Sequence, residues 1–159
     1  MNSSIEIVKN NEKIILPSII RYFEIILNGY NIISIGLINK ETYSQYGNRH
    51  IGWNKGSIGC QSSNGKLYFE KGFGDIFTEP FGLDENQRNV LGCGFDSSKK
   101  EIFYTKNGKK LHSFKIPDWK KISACFSIED CDWIEINYGN EYEFSFDLVQ
   151  EYIENNYIF

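Results

Sequence analysis

Glu101-Ile102-Phe103-Tyr104-Thr105-Lys106-Asn107-Gly108-Lys109-Lys110-Leu111-His112-Ser113-Phe114-Lys115-Ile116 decides the fold class. Two runs rich in aromatic and β-branched residues flank Asn107-Gly108. A type I′ turn needs φ > 0 at both central positions, which Asn and Gly tolerate, so the segment reads as a β-hairpin. Asn-Gly occurs twice more: Asn28-Gly29 separates residues 22–27 from 30–37, and Asn64-Gly65 precedes 66–69. Together these signals predict three hairpins and an antiparallel meander.

Working outward, residues 4–8 and 14–16 form strand candidates around Asn10-Asn11, followed by 90–95, 122–127, 133–138 and 142–146. Short strands separated by turn residues, with no alternating βα pattern, predict an all-β sandwich or barrel. Aromatic residues make up 16% of the chain and Ala124 is its only alanine, a balance that favours pleated strands over helices. One helix is predicted over 148–156: Asp147 caps the amide of Gln150, and Leu148, Val149, Tyr152 and Ile153 form an apolar face. With no linker or repeat, residues 1–159 read as one domain.

The chain has 159 residues, 41% hydrophobic and 24% charged, the balance of a globular domain able to bury a core. A net charge of -4 leaves no basic excess for a phosphate backbone, so nucleic-acid binding is not expected. The densest apolar stretch, 19–27, is interrupted by Arg21 and Glu24, well short of the roughly 18–20 residues of a bilayer span. The expected setting is the cytoplasm or nucleus, without membrane attachment. Cys60, Cys93, Cys125 and Cys131 are expected as free thiols, Cys93 and Cys125 in the core and Cys60 and Cys131 near loops.

Little here points to chemistry. No C-x-x-C pair or Cys–His cluster suggests a metal. Gly92-Cys93-Gly94 lacks the strand-to-helix setting of a dinucleotide fingerprint, so no cofactor is expected and its glycines read as a sheet feature allowing close backbone approach. His50 and His112 stand in no recognisable catalytic setting and read as surface residues. Glu129, Asp130 and Asp132 read as a solvated turn. The chain is not expected to be an enzyme.

Three blocks resemble the SPRY (B30.2-like) family in order and spacing: Ile51-Gly52-Trp53-Asn54-Lys55, Val90-Leu91-Gly92-Cys93-Gly94-Phe95-Asp96, and the Glu101 to Gly108 run. A closing Asn137-Tyr138-Gly139 and the tail Phe146-Asp147-Leu148 make the pattern similar to the Ran-binding protein M type, over about 19–157. The resemblance implies a bent, concanavalin-like sandwich of two antiparallel sheets with strands 4–16 and the C-terminal helix packed on it. It implies a monomeric module that binds a protein segment without catalysis, for example as a client-recruiting adaptor of a ubiquitin ligase. Three departures stand out: Arg88-Asn89 replaces the usual Gly-Asp, Cys60 replaces a pocket tyrosine, and no LisH or CTLH helices follow.

In the family the partner surface lies on loops at one end of the sandwich, here matching 43–51, 60–64 and 128–133. The resemblance thus nominates Tyr46, Arg49, His50, Cys60, Gln61, Glu129, Asp130, Asp132 and Trp133 as ligand-binding residues. Tyr, Trp and Arg dominate interface hot spots, and the carboxylates suit a basic or amide-rich segment. Trp53 is expected as a buried anchor, and Phe103, Tyr104 and Tyr138 as core and sheet-face aromatics. The alternative readings are a glycan-binding domain, with Trp133 as stacking platform, and a sandwich-fold hydrolase.

Overall fold

The computed structural model describes residues 3–44 and 50–158. Among the described residues ten strands and one helix follow in order: β1 Ser4–Lys9, β2 Glu12–Pro17, β3 Ile20–Asn39, β4 Ser57–Gln61, β5 Lys66–Phe69, β6 Asp75–Ile76, β7 Arg88–Asp96, β8 Glu101–Lys106, β9 Lys109–Lys115, β10 Ile122–Asn137 and α1 Leu148–Glu154. β1 and β2 form a two-stranded sheet, and the other strands run in the order β6-β5-β4-β3-β7-β8-β9, with β10 paired to β3. The fold is mostly β, of curled antiparallel sheets with one short C-terminal helix, the class expected from the strand pattern. Chain contacts divide it into two compact units: the described residues of 1–26, 90–117 and 135–159, and those of 27–89 and 118–134. β3 and β10 each contribute to both.

In the first unit, Lys106 pairs with Lys109 across a two-residue turn in which Asn107 (φ 50°) and Gly108 (φ 84°) both adopt the left-handed region. Asn10-Asn11 makes the same turn between β1 and β2, with φ values of 52° and 63°. The core gathers around Tyr22, which stacks on Phe103 (5.9 Å, 9°) and meets Phe144 edge-on (4.8 Å, 86°). Its hydroxyl shares a 2.6 Å hydrogen bond with Thr105. A Cβ on Gly92 would lie 2.0 Å from that hydroxyl and one on Gly94 2.2 Å from the Phe103 ring, so the Gly-Cys-Gly run leaves room for aromatic packing. Burial first, then the charge of Glu24, pushes the Tyr22 phenol far above its ordinary range.

α1 starts where predicted, its N-cap Asp147 accepting from the Gln150 N–H at 3.0 Å. Tyr152 is fully buried, and its hydroxyl accepts from the Ile20 N–H at 3.1 Å and donates to the Pro17 carbonyl. The predicted apolar face is corrected at one position. Ile153 is exposed, while Glu151 is buried and paired with Lys110.

Three strand predictions change. Asn28-Gly29 is a bend within continuous β3, with only Gly29 at positive φ (81°). Its backbone is satisfied from elsewhere in the chain: the Gly29 N–H donates to the Gln87 carbonyl at 3.2 Å and the Tyr30 N–H to the Asp132 carboxylate at 2.8 Å. The expected turn at 128–132 is the middle of β10. Residues 142–146 form no strand, because the buried carboxylate of Glu24 takes the Ser145 N–H at 2.6 Å and the Phe146 N–H at 3.4 Å, bonds a sheet ladder would otherwise make.

Candidate recognition surface

The nominated residues fall in the second unit, where β3 and β4 pair in the register Ser34↔Gln61, Ile35↔Cys60 and Gly36↔Gly59. Successive side chains alternate between faces, so Ser34 and Gln61 share one side and Ile35 and Cys60 the other. The 50–53 segment lies on the Ser34 side. The carbonyl of Ile51 occupies the space a Gly59 side chain would need (2.1 Å), and the Gly52 N–H donates to the Ser57 hydroxyl at 2.9 Å. From β10, the Ser127 hydroxyl accepts the Ile51 N–H at 3.2 Å.

On this side runs a three-residue hydrogen-bond chain: Ser34 Oγ lies 3.1 Å from His50 Nδ1, and His50 Nε2 lies 3.1 Å from Glu129 Oε2. The His50 ring packs against Trp53 at 4.9 Å, and Trp53 against Tyr68 at 5.6 Å. The Trp53 indole N–H and Gln61 Oε1 are enclosed and find no hydrogen-bond partner among the described residues. Such groups each cost about 1–3 kcal/mol, and native folds keep few of them. A serine, a histidine and a carboxylate in sequence suggest a hydrolytic triad. Ser34, however, has no exposed surface (0%), and a nucleophile must reach the carbonyl it attacks.

Several expectations are corrected here. His50 is 4% exposed, an interior polar link and not a surface histidine. Cys60 is wholly buried on the opposite side of the sheet, because it pairs with Ile35 where Gln61 pairs with Ser34, so its thiol cannot contact a partner from that side. Gln61 is itself buried (8%), its amide N–H donating to Ser63. Trp53 is half-buried, and Tyr138 is exposed, not part of a core.

Glu129, Asp130, Asp132 and Trp133 lie on a strand instead of a loop. Glu129 is 39% exposed at its side chain, and by alternation Trp133, 46% exposed, shares its side of β10. Asp130 is exposed and accepts its neighbour's Cys131 N–H at 2.9 Å. Asp132 supports the β3 bend, where it receives the Tyr30 N–H and sits in the place a Gly29 side chain would take, 2.7 Å from that Cβ position. Tyr46 and Arg49 lie outside the described residues. Sequence reasoning passed over Ser34, Trp53 and Ser127 as site residues; Trp53 stands in a family block but reads there as a buried anchor, and no local motif marks Ser34 or Ser127, whose roles come from strand register.

None of the four cysteines is joined in a disulfide. Cys93 is buried as expected, whereas Cys125 is half-buried. Burial, then Asp132 and Asp130, pushes the Cys131 thiol up and away from the thiolate form. Among the described residues no His, Cys, Asp or Glu group could hold a metal, and no helix is long and apolar enough to cross a membrane.

Among solved structures, a human SPRY domain superimposes with a TM-score of 0.57 at 22% identity, over 77% of this chain and 78% of that one. The SPRY domain of human HERC1 gives 0.55 at 12% identity, over 75% and 74%. Among curated proteins, the dual specificity protein kinase splA of Dictyostelium discoideum is 34% identical over 93 residues, 57% of this chain and 4% of the kinase. SPRY domain-containing protein 3 of Homo sapiens is 37% identical over 62 residues, 39% of this chain and 12% of that protein. The chain thus spans a small fraction of the length of these two curated relatives. The SPRY domain family model matches residues 20–141. From the strand order, the glycine-spaced aromatic core and this match, the chain belongs to the SPRY domain family, whose members are in general protein–protein interaction modules.

Proposed function

We propose that the chain is a non-catalytic recognition module that captures a segment of a partner protein on β10 and the adjoining 50–53 segment. The observation that carries this reading is the exposure of Trp133 (46%) on the side of β10 that also presents Glu129. Tryptophan is enriched in interface hot spots, and here nearly half of its side chain is left to water beside a carboxylate. Polar atoms at Trp53 and Gln61 that are enclosed but without a partner among the described residues support a face shaped for contact over maximal stability.

We further propose that the chain acts as one module, a reading supported by β3 and β10 each contributing residues to both units. We place it as a monomeric adaptor of the cytoplasm or nucleus, bringing a client to a larger assembly such as a ubiquitin ligase. Selecting a displayed library of random 12-residue peptides on the intact protein tests the reading, with a glycan array run in parallel. Enrichment of a peptide family whose capture is lost in Trp133→Ala supports it. Glycan binding without peptide enrichment overturns it in favour of a lectin.

A further inference from the structure

The Ser34–His50–Glu129 chain has a use that neither catalysis nor core packing accounts for, and the inference about it rests on the recognition reading above. We propose that His50 is a positioning residue: it fixes the Glu129 carboxylate in one orientation on β10, so that a partner's hydrogen-bond donor meets a pre-set acceptor. Its three members differ steeply in exposure. Ser34 is 0% exposed, His50 4%, and the Glu129 side chain 39%. The first two are therefore shielded from a partner, and only the last can touch one.

Donor chemistry sets the direction of the chain. An ionised carboxylate only accepts, so the 3.1 Å contact to Glu129 places the proton on His50 Nε2. In the neutral ring Nδ1 is then the acceptor, and the Ser34 hydroxyl donates to it across 3.1 Å. Trp53, against the ring at 4.9 Å, restricts its rotation. The Ser127 hydroxyl, two residues before Glu129, holds the Ile51 N–H, so histidine and carboxylate are tied at adjacent points of both segments. A surface glutamate otherwise loses rotamer freedom on binding. Holding it beforehand removes that cost, and the fixed acceptor direction favours donors arriving from one side.

A structural role alone predicts that His50 substitutions lower the melting temperature and leave the Glu129 contribution to binding intact. Positioning predicts coupling between the two. The probe is a peptide selected from the displayed library, titrated against native chain, His50→Ala, Glu129→Ala, the double variant and His50→Gln, whose side-chain amide can still donate to Glu129. Expected is a roughly five- to tenfold weakening in each single alanine variant, no further loss in the double, and recovery in His50→Gln. Independently of any peptide, nitrogen-15 NMR of the two imidazoles should show His50 carrying its proton on Nε2, and the alternative tautomer gaining population in Glu129→Ala. Additive losses, or a proton resident on Nδ1 in the native chain, overturn the proposal. If no peptide is enriched, the recognition reading fails while the tautomer measurement still decides whether His50 holds Glu129.

Discussion

Around Tyr22, in the first unit, aromatic rings close on one another with two glycines cleared of side chains to admit them. Around His50, in the second, one sheet side carries serine, histidine, glutamine and glutamate, with two enclosed polar atoms that find no partner among the described residues and a half-exposed tryptophan on β10. The same β scaffold serves packing in one place and, in the proposed reading, contact in the other. The lesson is that two of the family's blocks, Gly-Cys-Gly and the Asn-Gly hairpin, belong to the packed region, whereas in the region proposed to bind only Ile51-Gly52-Trp53 carries a motif and β10 carries none.

Substitutions can break this contrast. The largest effect is expected for Phe103→Ala, which empties a 2%-exposed position in the ring cluster and should cost about 3–5 kcal/mol, read by denaturant unfolding. A change under about 1 kcal/mol would mean that the rings do not carry the first unit. Gly92→Ala comes next: its methyl would lie 2.0 Å from the Tyr22 hydroxyl, and overpacking of this kind costs about 1–3 kcal/mol. Asp132→Ala should cost about 1 kcal/mol by stranding the Tyr30 N–H, and Asp132→Asn, which keeps an acceptor, should recover most of it. Equal losses in both would show that charge, not the hydrogen bond, matters at the β3 bend.

A smaller effect depends on pH. Burial pushes the Asp147 carboxyl up, but the hydrogen bond and charge of Lys9 and the Gln150 and Val149 N–H groups outweigh it, holding the carboxyl below the usual carboxylate range. A depressed folded-state value contributes stability above the unfolded carboxyl's range and loses it as pH falls through the folded value. The melting-temperature gap between native chain and Asp147→Asn should therefore be full at neutral pH and close only in acid. A gap that is constant with pH would remove the Lys9 and helix-cap account.

The comparison also shows what a sequence can and cannot carry. Asn107-Gly108 and Asn28-Gly29 are the same dipeptide, yet one closes a hairpin and the other bends a continuous strand. The first outcome is local, since two φ values suffice. The second depends on the Gln87 carbonyl and the Asp132 carboxylate, 58 and 103 residues further along the chain from Gly29, which no window around Asn28 contains. The site shows the same limit. That Cys60 and Gln61 face opposite ways follows from alternation, but which of them faces His50 follows from pairing with Ser34, a register visible only in the fold. Likewise Glu129, Asp130 and Asp132 read as a turn by composition, while pairing with β3 draws them into a 16-residue strand.

The central claim is that partner contact falls on β10 and the 50–53 segment, away from the Asn107-Gly108 hairpin. The most direct measurement is amide chemical-shift mapping of the intact protein titrated with a library-selected peptide, beside Trp133→Ala and Lys109→Ala. The account predicts shifts concentrated on residues 50–53 and 127–133. It further predicts a loss of about 2 kcal/mol in binding for Trp133→Ala, with stability moving by less than about 0.5 kcal/mol, and no change for Lys109→Ala. Shifts centred on residues 106–110, with binding lost in Lys109→Ala and kept in Trp133→Ala, would contradict it.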